Sequence, residues 1–491
     1  MNYKATLNIL GKTMVIGGLL FLAPFAVGLI YGENPFLEFL IPMGVLLVLG
    51  IPLSCIKDKE NDGIHAKEGF VIVALAWIIL SVVGALPFFI NGIIPNFADA
   101  IFETASGFST TGASILSDET LEFMTANLKG LQFWRMFTHW IGGMGVLVFV
   151  LAILPKTSSG IMHVFRSESP GPSASKLVSK LSRTAKILYG IYILLTVIQV
   201  VLLLFSGIGL YESLLNAFST AGTGGLSIHA GSIAYYDSAY VEMVIAVFMF
   251  LFGVNFNVYY LILIGQVTKV FKCEEFITYL VVVVLSTLAI AINLTSVSMT
   301  FIDGLRYGFF QVTSISSTTG FSTIDFDKTF PAFSKCILII LTMIGACGGS
   351  TGGGIKFSRI LVLFRLGKAD VKKMIHPRSV YTVKLEGEPI GQDVKENVRS
   401  FILVWFVLVV LSTLLLSLDS FAGGDVFTHL TATLACIGNV GPGFNAVGPM
   451  CNYSGYSDLA TLWLSFVMLA GRLEIFPMLI LFSPRTWRRG Q

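Results

Sequence analysis

Charge is scarce in this sequence. Lysine, arginine, aspartate and glutamate make up 12% of its 491 residues, against 54% hydrophobic, whereas a water-soluble domain carries roughly 25% charged residues. That shortage, with long apolar runs, excludes a solvated globular surface and puts the chain in a bilayer. A net charge of +3 gives no case for a nucleic-acid partner. Cysteine is scarce as well. Cys55, Cys273, Cys336, Cys347, Cys436 and Cys451 form no CxxC pair, so spacing indicates neither a disulfide framework nor a zinc site; Cys451, read as external, is left open. The histidines His65, His139, His163, His229, His376 and His429 show no ligand spacing, so no transition metal and no proton relay is assigned to them. No small-residue cleavage site follows the first apolar run, Met14 to Tyr31, and no cleavable signal peptide is expected.

What is abundant is apolar length. Runs of about 18 residues or more read as spans, and ten are found, near 13–31, 37–55, 69–91, 134–154, 184–206, 240–265, 276–298, 334–366, 398–417 and 458–483. The eighth is interrupted by GACGGSTGGGIK, Gly345 to Lys356, and reads as two half-helices around a break. Ten spans place both termini on one side. With the N-terminus inside, the segments 1–12, 56–68, 155–186, 266–275, 355–399 and 484–491 hold 26 of the 32 lysines and arginines, and the positive-inside rule makes both termini cytoplasmic.

Four external segments share a form. Each has an acid (Asp99, Glu212, Asp303, Asp425), a short apolar stretch, then a small-polar-glycine string. The stretches are too short to cross a bilayer and suit re-entrant helices with the acid near the positive N-terminal end of the dipole. IFETASGFSTTGAS (101–114), SLLNAFSTAGTGGL (213–226), FFQVTSISSTTGFS (309–322) and LTATLACIGNVGPG (430–443) align with glycine in one column: Gly112, Gly224, Gly320 and Gly441. The fold class expected is therefore all-α integral membrane, with four pseudo-symmetric span–pore loop–span repeats around a central pore and two leading spans. The corresponding boundaries are 1–60 for the leading spans, then 61–160, 161–270, 271–375 and 376–491 for the repeats.

Irregular backbone at membrane depth is tolerated only when buried in protein or lining a watery cavity. Four such loops around one axis turn carbonyl oxygens to a common centre, where they replace an ion's hydration shell. Glycine suits the shared column because it tolerates positive φ. The small-polar strings carry no carboxylate, which favours a large monovalent cation over calcium or magnesium. Close packing of membrane helices also uses small residues; it is the repetition of the whole unit that favours a pore.

On these strings (STTGA, STAGTGG, STTGF, GNVGPG) and on GGSTGGGIK, the chain resembles the Trk/Ktr/HKT superfamily of potassium transporters, most of all its bacterial TrkH/TrkG branch with two extra leading spans. The resemblance covers essentially the whole chain. It implies a K+-binding filter at Thr110, Thr111, Gly112 and Ala113; Gly222, Thr223, Gly224 and Gly225; Thr318, Thr319, Gly320 and Phe321; and Asn439, Val440, Gly441 and Pro442. It implies location in the bacterial cytoplasmic (inner) membrane, a homodimer, contact with membrane lipid, and a cytoplasmic nucleotide-binding regulatory partner of the TrkA type. No organic cofactor is expected on this chain. Sodium-favouring relatives carry serine at the first-loop glycine, and Gly112 is retained here. Leu226, two residues after Gly224, departs from the pattern in the second string.

The resemblance also implies a gate: an intramembrane loop beneath the filter comprising Gly345, Gly348, Gly349, Ser350, Thr351, Gly352, Gly353, Gly354 and Lys356, with Arg472 facing the cavity below. A nucleotide-binding phosphate loop is excluded there, since Ile355 separates the glycines from Lys356 and Phe357 follows it. Arg472, alone in the last span, is costly at that depth and functional by default; an arginine bonded to carbonyls in a helix interface is the alternative. Cytoplasmic segments 155–186 and 355–399 are basic enough for lipid headgroups or for the partner. Three functions compete. A voltage-driven potassium pore fits spans nearly free of acids; a potassium symporter coupled to protons or sodium would carry inverted repeats and midplane carboxylates; a membrane enzyme would need a catalytic cluster, and none is readable.

Overall fold

The computed structural model describes residues 1–56, 66–145, 181–379, 381–421 and 424–488. Six helices are long and apolar enough to cross a membrane: Tyr3–Ile30, Phe36–Ser54, Lys67–Asn91, Lys186–Leu204, Glu274–Val297 and Gln392–Leu416. A seventh candidate, Ala239–Gly253 with Phe256–Leu263, is bent by 90°. Ten spans were expected, and three fall short on length. The helix Lys129–Gly143 covers the start of 134–154, the rest of which lies outside the described residues, as does most of the basic segment 155–186. Ala332–Met343 stops at the glycine-rich break, and a new helix, Phe357–Ile375, follows it. Asp458–Arg472 also stops, and Phe476–Leu481 resumes.

The 90° break in the sixth expected span was not foreseen, because its cause lies a hundred residues away in sequence. At Val254–Asn255 the backbone is extended, and Asn255 Oδ1 caps the second half by accepting from the Asn257 N–H at 2.9 Å. The backbone groups so freed find partners in the loop 344–356. Cys347 N–H donates to Gly253 O at 3.1 Å, Thr351 Oγ1 to Phe252 O at 3.1 Å, and Phe256 N–H to Gly349 O at 3.0 Å. A break inside lipid persists only when its polar groups are satisfied in this way. The last span breaks differently. Ile475 has φ 67° and ψ −54°, and Phe476 N–H donates to Glu474 O at 2.7 Å across it, which makes a γ-turn with a β-branched residue at its strained centre.

The two leading helices cross at glycines: a Cβ on Gly11 would collide with Leu53 and Ser54, and one on Gly50 with Gly11 O, the close approach that small residues permit in membranes. Glu33, in the turn between them, accepts from the Lys129 and Gly130 N–H groups and so caps the positive end of Lys129–Gly143. Large apolar residues on the outer faces, such as Val48, Leu285 and Leu403, are exposed, as a lipid-facing perimeter requires.

Between the long helices lie four short ones: Phe97–Ser109, Leu210–Gly222, Phe301–Ser316 and Val426–Gly438. They occupy the stretches expected to be re-entrant. Asp99, Glu212 and Asp303 sit in first turns, and Asp425 is itself the cap, accepting from the Thr428 N–H at 2.7 Å. The C-terminal turns of the first and fourth are buried against Lys129–Gly143 and Asp458–Arg472, again at glycines. A Cβ on Gly142 would collide with Phe108 O, and one on Gly471 with Ile437 O. Gly142→Ala and Gly471→Ala should each destabilise the protein by about 1–3 kcal/mol, the usual cost of overpacking, read as a lower unfolding temperature in detergent; an unchanged temperature in both would contradict these contacts.

Candidate functional site

All four short helices end alike. Thr110, Thr223, Thr318 and Asn439 take left-handed φ of 55°, 54°, 62° and 54°. The next N–H in each reaches back across the last turn: Thr111 to Ser106 O, Gly224 to Ser219 O, Thr319 to Ser314 O and Val440 to Ala435 O, at 2.8–2.9 Å. This is the Schellman termination, normally made with glycine; a β-carbon in that region costs roughly 1–2 kcal/mol. Two residues past each left-handed residue comes a glycine of positive φ: Gly112 at 83°, Gly225 at 76°, Gly320 at 85° and Gly441 at 95°.

The common backbone corrects the expected alignment. In the second string the shared column is Gly225, not Gly224, so the equivalent residues run Thr223, Gly224, Gly225, Leu226. Gly222 closes the helix, in the place of Ser109, Ser317 and Gly438. Leu226 then stands where Ala113, Phe321 and Pro442 stand, and its apparent departure disappears.

The strings approach one another in a closed cycle. A Cβ on Gly112 would come within 3.0 Å of Gly224 O, on Gly225 of Thr319 O, on Gly320 of Val440 O, and on Gly441 of Thr111 O. Gly112, Gly225, Gly320 and Gly441 line one cavity together, on the far side of the strings from the glycine-rich loop. Thr111, Thr223, Thr319 and Val440 are fully buried. Among the described residues, no donor reaches the carbonyl oxygens of Thr110, Thr111, Gly112, Thr223, Gly224, Gly225, Thr318, Thr319, Gly320, Asn439 or Val440. Buried carbonyls are nearly always paired; so many left over at one place is what a cation's coordination shell requires. Thr111 and Thr319 hydroxyls bond sideways to Ser109 and Ser317, at 2.7 Å each.

Beneath the strings lies the glycine-rich loop. Its neck is a parallel bridge between Ile344 and Ile355, with Gly345 N–H donating to Ile355 O at 2.8 Å. Glu275 Oε1 accepts from the N–H groups of Gly348 and Ser358, at 2.7 and 2.9 Å. Ser350 Oγ donates to Cys347 O at 2.7 Å, and Lys356 Nζ folds back onto the carbonyls of Gly352 and Gly353. Gly349 and Gly354 have φ of 73° and 68°. The loop meets the strings directly: Gly353 N–H donates to Thr318 Oγ1 at 2.7 Å, and a Cβ on Gly353 would meet Gly438 O at 2.7 Å. Arg472 Nη1 donates to Thr351 O at 2.5 Å, and Nη2 to Gly142 O and Gly143 O at 2.7 Å. It therefore lines the lower cavity, beside Lys356, while bonded to carbonyls. Glu474, two residues on, pairs with Arg359 at 2.5 Å.

A family model described as TrkH, cation transport protein, matches residues 41–489. The Trk system potassium uptake protein TrkH of Escherichia coli K12 is 34% identical over 496 residues, covering 99% of this chain and 100% of the relative.

The chain belongs to the TrkH family.

Trk system potassium uptake protein TrkG of the same organism is 30% identical over 471 residues, 95% of each chain. The crystal structure of the potassium transporter TrkH from Vibrio parahaemolyticus superposes with a TM-score of 0.87 at 31% identity, covering 99% of this chain and 100% of that one. These relatives are named as transport proteins, not enzymes, and the chain is an integral membrane protein of their kind.

Sequence reasoning missed the residues that back the strings in this TrkH-family fold. His139 Nδ1–H donates to Gly107 O at 2.7 Å while Nε2 accepts from the Leu226 N–H at 3.3 Å; a Cβ on Gly224 would strike its ring. Ser219 and Ser314 hydroxyls donate to Leu226 O and Phe321 O, at 2.8 and 2.6 Å. Tyr453 donates its hydroxyl to Gly441 O at 2.8 Å and its N–H to Ser114 O at 2.9 Å. Buried Glu103 and Arg135 form an ion pair at 2.6 Å. An intramembrane arginine was a legible signal, and Arg135 carries it as plainly as Arg472 does. Tyr453→Phe removes one buried hydrogen bond and should lower stability by about 0.5–1.5 kcal/mol, measurable as a reduced unfolding temperature; equal or greater stability would deny that bond.

Proposed function

We propose that the chain takes up potassium across a bacterial cytoplasmic membrane through a carbonyl-lined, channel-like pore. In this reading four pseudo-symmetric span–loop–span repeats, with two leading spans, surround one axis, and both termini are cytoplasmic. The filter is Thr110–Ala113, Thr223–Leu226, Thr318–Phe321 and Asn439–Pro442. The observation that carries it is the closed cycle of strings in which the carbonyls of Thr111, Gly224, Thr319 and Val440 have no donor among the described residues. Peptide dipoles of this kind, without formal charge, suit a large monovalent cation, and the relatives are named potassium uptake proteins.

Coupling to protons or sodium is less well supported. The buried carboxylates are already engaged: Glu68 with the Asn2 N–H, Glu103 with Arg135, Glu242 with Arg306 at 2.6 Å, and Glu275 with the N–H groups of Gly348 and Ser358. A pore needs no such coupling, since the membrane potential supplies about 2.3 kcal/mol per charge per 100 mV.

The loop 345–356 obstructs the pore beneath the filter, and Arg472 holds it closed by tying Thr351 to the end of the first-repeat helix at Gly142 and Gly143. Its charge also raises the barrier to a cation at that level. A homodimer, gated from the cytoplasmic side by a nucleotide-binding subunit of the TrkA type, completes the proposal; the exposed lysines Lys368, Lys372 and Lys373 on Phe357–Ile375 face that partner or lipid headgroups.

In liposomes of purified protein, rubidium tracer should enter in proportion to an imposed voltage, without a proton gradient and in preference to sodium; uptake that demands a proton or sodium gradient would select the symporter instead. Arg472→Ala should raise the rubidium uptake rate in the same assay, by about tenfold for each 1.4 kcal/mol of barrier removed. A rate below that of the unmodified protein would contradict the latch.

A further inference from the structure

One ion pair behind the strings has no part in the pore as proposed, and we infer that Glu103 and Arg135 are positioning residues that fix the outer ends of the first and second strings. The inference rests on reading those strings as a potassium filter. Glu103 lies in the first short helix, and its side chain has no solvent exposure; that of Arg135, on Lys129–Gly143, has 2%. Arg135 Nε donates to Glu103 Oε1 at 2.6 Å. The carboxylate also accepts from Ser114 Oγ at 3.1 Å and from the Ile115 N–H at 2.9 Å. Arg135 Nη2 donates to Ser114 Oγ at 3.1 Å, and Nη1 to Ser227 O at 2.7 Å. Ser114 follows Ala113 and Ser227 follows Leu226, so each is the first residue past its string. A single pair thus clasps the exits of two neighbouring strings.

The arrangement is particular to this corner. At the positions equivalent to Glu103 in the shared backbone register stand Asn216, Gln311 and Ala432, none of them charged. The ends of the other strings are held by neutral donors, Ser314 on Phe321 O and Tyr453 on Gly441 O. Arg135 also lines the outer cavity that the four string glycines share. Glu103 therefore acts in two ways. It anchors the outer ends of both strings, and it cancels a cation at the entrance to a cation path.

Breaking a buried pair by removing one partner leaves an uncompensated charge. Glu103→Gln leaves Arg135 positive beside the entrance, where it repels incoming cations, and loosens Ser114 and Ile115. The first effect lowers flux and the second lowers discrimination. Glu103→Gln/Arg135→Gln removes the stray charge but not the loss of anchoring, so the two effects separate. Ser114→Ala leaves the pair intact and cuts only its link to the first string.

The experiment measures rubidium and sodium tracer uptake, per amount of protein, in liposomes containing the full chain. The unmodified protein is the control: if it shows no preference for rubidium, the potassium reading itself fails before any variant is considered. Given that preference, Glu103→Gln should lower rubidium flux and cut the rubidium-to-sodium ratio by about tenfold, the change that 1.36 kcal/mol of relative barrier produces. The double variant should regain part of the flux while its ratio stays low, and Ser114→Ala should lower the ratio by a smaller factor. A pair that serves only helix packing would lower the yield of folded protein and leave the ratio of the surviving molecules unchanged. An unmodified ratio in Glu103→Gln, or in Ser114→Ala should Glu103→Gln not accumulate, overturns the inference.

Discussion

A peptide carbonyl buried without a partner is expensive, and this fold gathers such carbonyls deliberately at the meeting point of four strings. Each short helix must end abruptly, at membrane depth, on a residue in the left-handed region. The Schellman bonds satisfy the carbonyls of the last turn, at Ser106, Ser219, Ser314 and Ala435, and leave most of those in the strings without a donor among the described residues. Everything around the strings follows from holding that costly backbone in place.

The supports are of three kinds. Glycines let the following helices close on the short ones, at Gly142 and Gly471, and let the strings pass one another at Gly112, Gly225, Gly320 and Gly441. Fixed donors set the far end of each string: the Tyr453 N–H on Ser114 O for the first, Ser219 on Leu226 O and Arg135 on Ser227 O for the second, Ser314 on Phe321 O for the third, and the Tyr453 hydroxyl on Gly441 O for the fourth. The loop 345–356 packs against the opposite end, contributing the Gly353 N–H to Thr318 Oγ1. That loop also completes the broken span at Gly253–Phe256, so a movement of the loop must either carry that break with it or leave its backbone unsatisfied. The same loop is tied to the last span by Arg472, next to the strained turn at Ile475. Its position therefore depends on two helix breaks at once.

Much of this was legible in the residues alone. The acid-started short helices, the glycine strings and the interruption at Gly345–Lys356 were all visible as repeated composition. The register of the second string was not, because the string offers Gly222, Gly224 and Gly225 and the feature that fixes register is a left-handed threonine, which sequence does not mark. The 90° bend after Gly253 was hidden because apolar residues run through it and its hydrogen bonds come from a distant loop. Glu103 was passed over as part of an apolar stretch, and its partner Arg135 as part of a span, although buried charges at that depth require each other. The count of ten spans was drawn from run length; the described helices at Lys129–Gly143, Ala332–Met343 and Asp458–Arg472 are shorter than their runs because the backbone leaves the helix at Met144, Ile344 and Leu473.

The central claim is that the inward carbonyls coordinate a dehydrated monovalent cation. Anomalous diffraction from crystals grown in rubidium tests it most directly. The account predicts a rubidium peak enclosed by the carbonyl oxygens of Thr111, Gly224, Thr319 and Val440. A structure that binds rubidium elsewhere while leaving that ring without a peak would contradict it.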